Sequence, residues 1–221
     1  MTRVAYVFPG QGAQAVGMGK AFYDKFPEAR DLYKRANTAL GFDITALCFE
    51  GPQEELTKTE RCQLALFVTS LAAFVAFDAM APSAKPVGVA GLSLGELTAL
   101  AAVGALTFRD GLRLVQARGE AMAECAAHHQ GAMLAVIGLS NEAIEAICKE
   151  SGATGANYNA PEQVVLSGTL SAIGQAEQLA KHGGAKRAMR LDVAGAFHSP
   201  LMQPAAITLK AALSKIHLQP A

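Results

Sequence analysis

The chain has 221 residues, 51% of them hydrophobic and 17% charged, enough for one well-buried domain or a domain with a smaller partner, which excludes a disordered chain. Nineteen basic and nineteen acidic residues cancel, so no bulk field recruits nucleic acid or an anionic membrane, and any anionic ligand must be met locally. Cys48, Cys62, Cys125 and Cys148 form no C-x-x-C pair, which fits reduced core thiols in a cytoplasmic protein better than a disulfide framework or a metal site.

In chain order, Val4 to Phe8 reads as a short buried strand that breaks into a loop rich in glycine, Gly10, Gly12, Gly17 and Gly19. Helical patterns follow around Gly17 to Phe26, Ala29 to Leu40 and Glu60 to Ala81, the last stopped by Pro82. The uncharged stretch Cys62 to Phe77 is too short and too polar for a spanning helix and reads as a buried one. A strand over Lys85 to Ala90 ends at Gly91 and feeds helices at Leu94 to Val103 and Asp110 to Ala127, so the fold class is α/β with a parallel sheet. From Gln130 the rhythm becomes strand, helix, strand, strand, helix, strand, the ferredoxin-like order. The expected organisation is a hydrolase-like large body from residues 1–128 and 194–221, with a ferredoxin-like subdomain at 129–193.

The opening loop carries Gly10-x-Gly12-x-x-Ala15, which invites a dinucleotide reading. That reading requires a second strand soon after the first helix, ending in an acid that holds a ribose, and no strand pattern occurs before Pro86. The loop is therefore expected to serve a different negative charge.

Gly91-Leu92-Ser93-Leu94-Gly95 matches G-x-S-x-G between a predicted strand and a predicted helix. There a serine sits on a strained elbow, its hydroxyl exposed, with the Leu94 N–H available to an oxyanion. The bland alternative is a serine capping an ordinary helix. In the helix from Asp110, Arg118 projects onto the apolar side with Leu114, Val115, Ala121 and Met122. Burying a guanidinium demands a partner, either an internal acid such as Glu96 or a carboxylate on a substrate. His198 ends the last predicted strand just before Ser199-Pro200, a helix start, where a base for Ser93 is expected. Asp110 and Asp192 qualify by chain order alone as the acid that would orient it.

Together, PGQGAQ at 9–14, GLSLGE at 91–96, QARG at 116–119, NAPEQVVLSG at 159–168 and GAFHSPLM at 195–202 resemble malonyl-CoA:acyl carrier protein transacylases. The resemblance implies a nucleophile at Ser93, a general base at His198 and a carboxylate anchor at Arg118. It also implies oxyanion donors at the backbone N–H groups of Gln11 and Leu94, with Gln63, Leu92, Asn159 and Phe197 lining the site. Phe197 is similar to the residue in members that choose malonyl over methylmalonyl groups. Leu92 departs from the many members that carry histidine there, which implies altered site polarity rather than loss of activity. Members continue well beyond residue 221 and carry there the group that orients the base.

The implied reaction passes a malonyl group from malonyl-CoA to Ser93 and then to the phosphopantetheine thiol of acyl carrier protein. The resemblance implies no bound cofactor, no metal, and a monomer that meets neither nucleic acid nor membrane. The rival readings are a polyketide-type acyltransferase, a serine esterase or thioesterase of the same fold, and a non-catalytic module that binds carrier protein. Lys186, Arg187 and Arg190 could greet an acidic carrier or simply face water.

Overall fold

The computed structural model describes residues 4–220 and divides the chain into two compact units, Met1–Glu120 with Leu209–Ala221, and Ala121–Thr208. In the first unit, β1 (Val4–Phe8) and β2 (Pro86–Gly91) pair in parallel, Tyr6 opposite Val89 and Phe8 opposite Gly91. The long crossover that parallel strands require is built from a glycine loop and five helices. The helices are α1 (Lys20–Lys25), α2 (Pro27–Leu40), α3 (Ile44–Glu50), α4 (Gln53–Thr57) and α5 (Thr59–Met80).

Local chemistry sets these boundaries. Helix α1 begins three residues later than the periodicity predicts, because Gly17 and Gly19 adopt φ of 92° and 81°, outside helical space. Pro27 opens α2, and Gly41 at φ 73° closes it. Helices α3 and α4 were not expected from periodicity. Each is too short for a repeating apolar stripe, and α3 is held instead by Asp43, whose carboxylate accepts from the Ala46 N–H at 3.0 Å.

Helix α5 is apolar on every side, and every residue from Cys62 to Val68 is buried. By length and composition it could cross a membrane; here it is the core helix of its unit. It packs with Leu32, Tyr33 and Ala36 of α2 and with Leu112, Leu114 and Val115 of the helix α7 (Phe108–His128). The chain's end returns to this core through Leu209, Leu213 and Ile216. Burial pushes the Cys48 and Cys62 thiols up to about 12, and all four cysteines are free, as expected of core thiols.

In the second unit an antiparallel sheet takes the order β4 (Thr154–Ala160), β5 (Gln163–Thr169), β3 (Gly131–Ile137), β6 (Arg187–Arg190). Helices α8 (Asn141–Ser151) and α9 (Leu170–His182) cover it through Ile144, Ile147, Ile173 and Ala176, which pack on Leu134, Val136, Val164 and Leu166. This is the β-α-β-β-α-β order read from the sequence. Strand β6 is shorter than the predicted Lys186 to Val193. One more bond runs from the Leu191 N–H to the Met133 carbonyl, and then the chain turns back on itself from Val193 to Leu191.

Two of the three basic residues at this edge have local partners. Arg190 Nε donates to Glu177 Oε2 at 2.9 Å, and Lys186 Nζ lies 3.5 Å from Glu162. Lys186 and Arg190 stay largely exposed within these pairs. Helix α9 is capped by Thr169, whose hydroxyl accepts from the Ala172 N–H at 3.1 Å. Thr169→Ala is expected to lower stability by about 1 kcal/mol, read as a lower urea midpoint at unchanged m-value.

Candidate active site

The turn from β2 into α6 (Leu94–Ala102) leaves no room for a side chain two residues to either side of Ser93. A Cβ on Gly91 would stand 1.9 Å from the Gly95 carbonyl carbon, and one on Gly95 would stand 2.2 Å from the Phe8 carbonyl oxygen. These two glycines let strand and helix touch, and the touching drives Ser93 into φ 55°, ψ −105°. For a residue with a side chain this backbone state is strained by about 1–3 kcal/mol. The serine makes no side-chain cap to α6, so the simple capping alternative fails. Leu94 opens the helix, where a backbone N–H has no partner within the helix.

Arg118 comes to this serine from α7. Its Nη2 donates to Ser93 Oγ at 2.8 Å, and its Nη1 donates to Gln63 Oε1 of α5. Both hydrogen-bond partners are neutral, and the Glu96 carboxylate considered as an ion-pair partner acts on Arg118 through space. Burial pulls the guanidinium pKa below its ordinary value, and the Glu96 carboxylate opposes that through space. Gln63 is 1% exposed, so this side chain is a fixed part of the core rather than a mobile lining residue.

The glycine loop after β1 lies against the same elbow. A Cβ on Gly10 would come 2.7 Å from the Leu92 carbonyl oxygen, and the Leu92 N–H donates to the Phe8 carbonyl at 3.1 Å. Gln11 follows in the turn, its side-chain oxygen accepting from the Thr59 hydroxyl at 2.8 Å. Leu92 itself is half exposed. Thus Gln11, Gln63, Leu92, Ser93, Leu94 and Arg118 all belong to one unit. Asp110 is committed elsewhere: it accepts from the Thr107 hydroxyl at 2.8 Å, and its own N–H donates back at 3.1 Å, a reciprocal cap on α7.

His198, Phe197 and Asn159 belong to the second unit. His198 is exposed at φ 59°, a left-handed state that histidine tolerates better than most residues. Ser199 fixes the turn after it, donating to the Ala196 carbonyl at 2.7 Å and accepting from the Leu201 N–H at 3.3 Å. A short 3-10 turn over Pro200–Met202 then leads into α10 (Gln203–Leu213), so the helix start read from Ser199-Pro200 is present in this form. Phe197 is buried, packed with Met122, Met133 and Met202, and Asn159 is exposed near the end of β4.

A family model described as "Acyl transferase domain" matches residues 5–221. The chain belongs to that acyl transferase family. Within it, the malonyl CoA-acyl carrier protein transacylase of Bacillus subtilis (strain 168) is 42% identical across the whole chain, which spans 71% of that protein. The crystal structure of the transacylase of that name from Clostridium perfringens superposes with a TM-score of 0.93 at 41% identity, covering 99% of this chain and 70% of that one. A malonyl-transacylase solved in complex with its type II polyketide acyl-carrier protein superposes at 0.94 with 39% identity, covering 99% and 72%. These likenesses bear out the hydrolase-like fold with its small ferredoxin-like part.

Two substitutions separate strain from hydrogen bonding at the elbow of this acyl transferase. Ser93→Ala and Ser93→Gly both remove the acceptor for Arg118, and only glycine is at ease at φ 55°. The glycine variant is expected to be more stable than the alanine variant by about 1–3 kcal/mol in chemical denaturation. Equal stability would show an unstrained elbow.

Proposed function

We propose that this acyl transferase moves a malonyl group from malonyl-CoA to the phosphopantetheine thiol of acyl carrier protein through a malonyl ester on Ser93, supplying fatty-acid elongation. The observation that carries this reading is the 2.8 Å hydrogen bond from Arg118 to Ser93 Oγ. A malonyl ester on that oxygen holds its carboxylate one methylene beyond the ester carbonyl, within reach of a planar fork already seated beside the serine.

In the first half-reaction Ser93 Oγ attacks the thioester carbonyl while His198 takes its proton, and the oxyanion is met by the N–H groups of Gln11 and Leu94. The tetrahedral intermediate collapses, the C–S bond breaks, and CoA leaves with the proton from His198. In the second half-reaction His198 takes the proton of the carrier thiol, the sulfur attacks the ester carbonyl, the bond from the acyl carbon to Ser93 Oγ breaks, and His198 returns the proton to Ser93. No metal or bound cofactor takes part. Arg118 separates this reading from an esterase of neutral substrates, which has no use for a half-buried cation beside the nucleophile. The four free thiols support a cytoplasmic setting, and the chain is taken to act as a monomer. The relative solved with a type II polyketide carrier protein favours one second reading, the same chemistry feeding polyketide synthesis.

Incubation with malonyl-CoA followed by mass spectrometry tests the reading. A malonyl adduct is expected on Ser93 and absent from Ser93→Ala. Arg118→Ala is expected to load malonyl about 10- to 100-fold more slowly, while its rate with acetyl-CoA holds or rises. An equal loss with both donors, or no adduct on the wild-type chain, would count against the proposal.

A further inference from the structure

The first turn of α5 touches two parts of the site at once. Thr59, 2% exposed at the start of the helix, gives its hydroxyl hydrogen to Gln11. One turn on, Gln63 receives Arg118. Helix α7 presses directly on this turn, since a Cβ on Gly119, next to Arg118, would stand 2.9 Å from Glu60 Cα. Five residues of one buried helix thus carry the anchor of the glycine loop and the seat of the arginine.

Gln11 lies between Gly10 and Gly12, the latter at φ 108° with open space around it. Glycine-flanked backbone has much conformational freedom, and a donor to an oxyanion is effective only if it is held in place before charge develops. The Gln11 side chain ties this stretch to a rigid helix. A threonine at a helix start commonly turns its hydroxyl onto its own backbone, whereas Thr59 directs it across to the loop.

We propose that Thr59 is a positioning residue for acyl transfer: by holding the side-chain carbonyl of Gln11, it fixes the peptide N–H of Gln11 that receives the thioester oxygen. The inference rests on the reading of Gln11 as an oxyanion donor. It assigns no contact between Thr59 and substrate, so its effect falls on the rate of acylation and not on binding.

Thr59→Val keeps the shape and deletes the donor; Thr59→Ser keeps the donor and deletes a methyl group. The rate of Ser93 modification is measured with malonyl-CoA over a concentration series and, separately, with a fluorophosphonate, which reports on the activated serine and its oxyanion donors whatever the natural acyl donor. The valine variant is expected to lower the maximal rate about three- to tenfold with an unchanged half-saturating concentration, and the serine variant to stay within about twofold of wild type. Gln11→Met, which removes the acceptor and keeps the backbone N–H, is expected to match Thr59→Val, and the double variant to lose no more than either alone.

A valine variant that reacts with the fluorophosphonate at the wild-type rate overturns the proposal. So does a serine variant as slow as valine, or a loss confined to the half-saturating concentration. A wild-type chain that takes the fluorophosphonate on Ser93 but never malonyl overturns the assigned acyl donor instead, and the fluorophosphonate rates still decide Thr59.

Discussion

The first unit is organised around the contact between the end of β1 and the start of α6. Gly95 sits against the Phe8 carbonyl and Gly91 against Gly95 itself, at separations no side chain tolerates. That contact forces the backbone of Ser93 out of its comfortable regions and leaves its hydroxyl beside Arg118 instead of capping α6. Packing of α6 residues Leu94 and Leu97 into the main core supplies what holds the strained turn in place. Strain at the elbow and burial behind it are two sides of one arrangement.

Around that elbow, neutral side chains do the placing. Gln63 and Ser93 share the guanidinium of Arg118, and Thr59 holds Gln11. Gln63 and Thr59 are buried, so the bonds they make are shielded from competing water and directional. None of them cancels a charge. The arrangement keeps a positive group oriented and available, which an internal salt bridge would have neutralised.

Much of this was legible in the sequence because its strongest signals are steric. G-x-S-x-G after a strand states an elbow, the apolar stripe of α7 states that Arg118 is half-buried, and Ser199-Pro200 states a turn and helix start. Ferredoxin-like order was equally readable from alternating strand and helix periods. The sequence was silent on α3 and α4, whose short lengths carry no period, and it overextended β6, whose pairing ends where the chain turns near Asp192. Thr59 was invisible for a different reason. A threonine at the head of a helix looks like any other helix start, and its partner Gln11 lies 48 residues away along the chain. Asp110 misled by chain order alone, since its spacing from Thr107 already spelled a helix cap.

The neutral company of Arg118 has a further consequence. A half-buried cation whose hydrogen-bond partners are uncharged, with the Glu96 carboxylate acting only through space, attracts small free carboxylates as well as those carried on thioesters. Unesterified malonate, or acetate from a buffer, would settle on the same fork and displace Ser93 from its hydrogen bond. The same fork proposed to receive the malonyl carboxylate thereby makes the resting site sensitive to the ordinary organic anions around it.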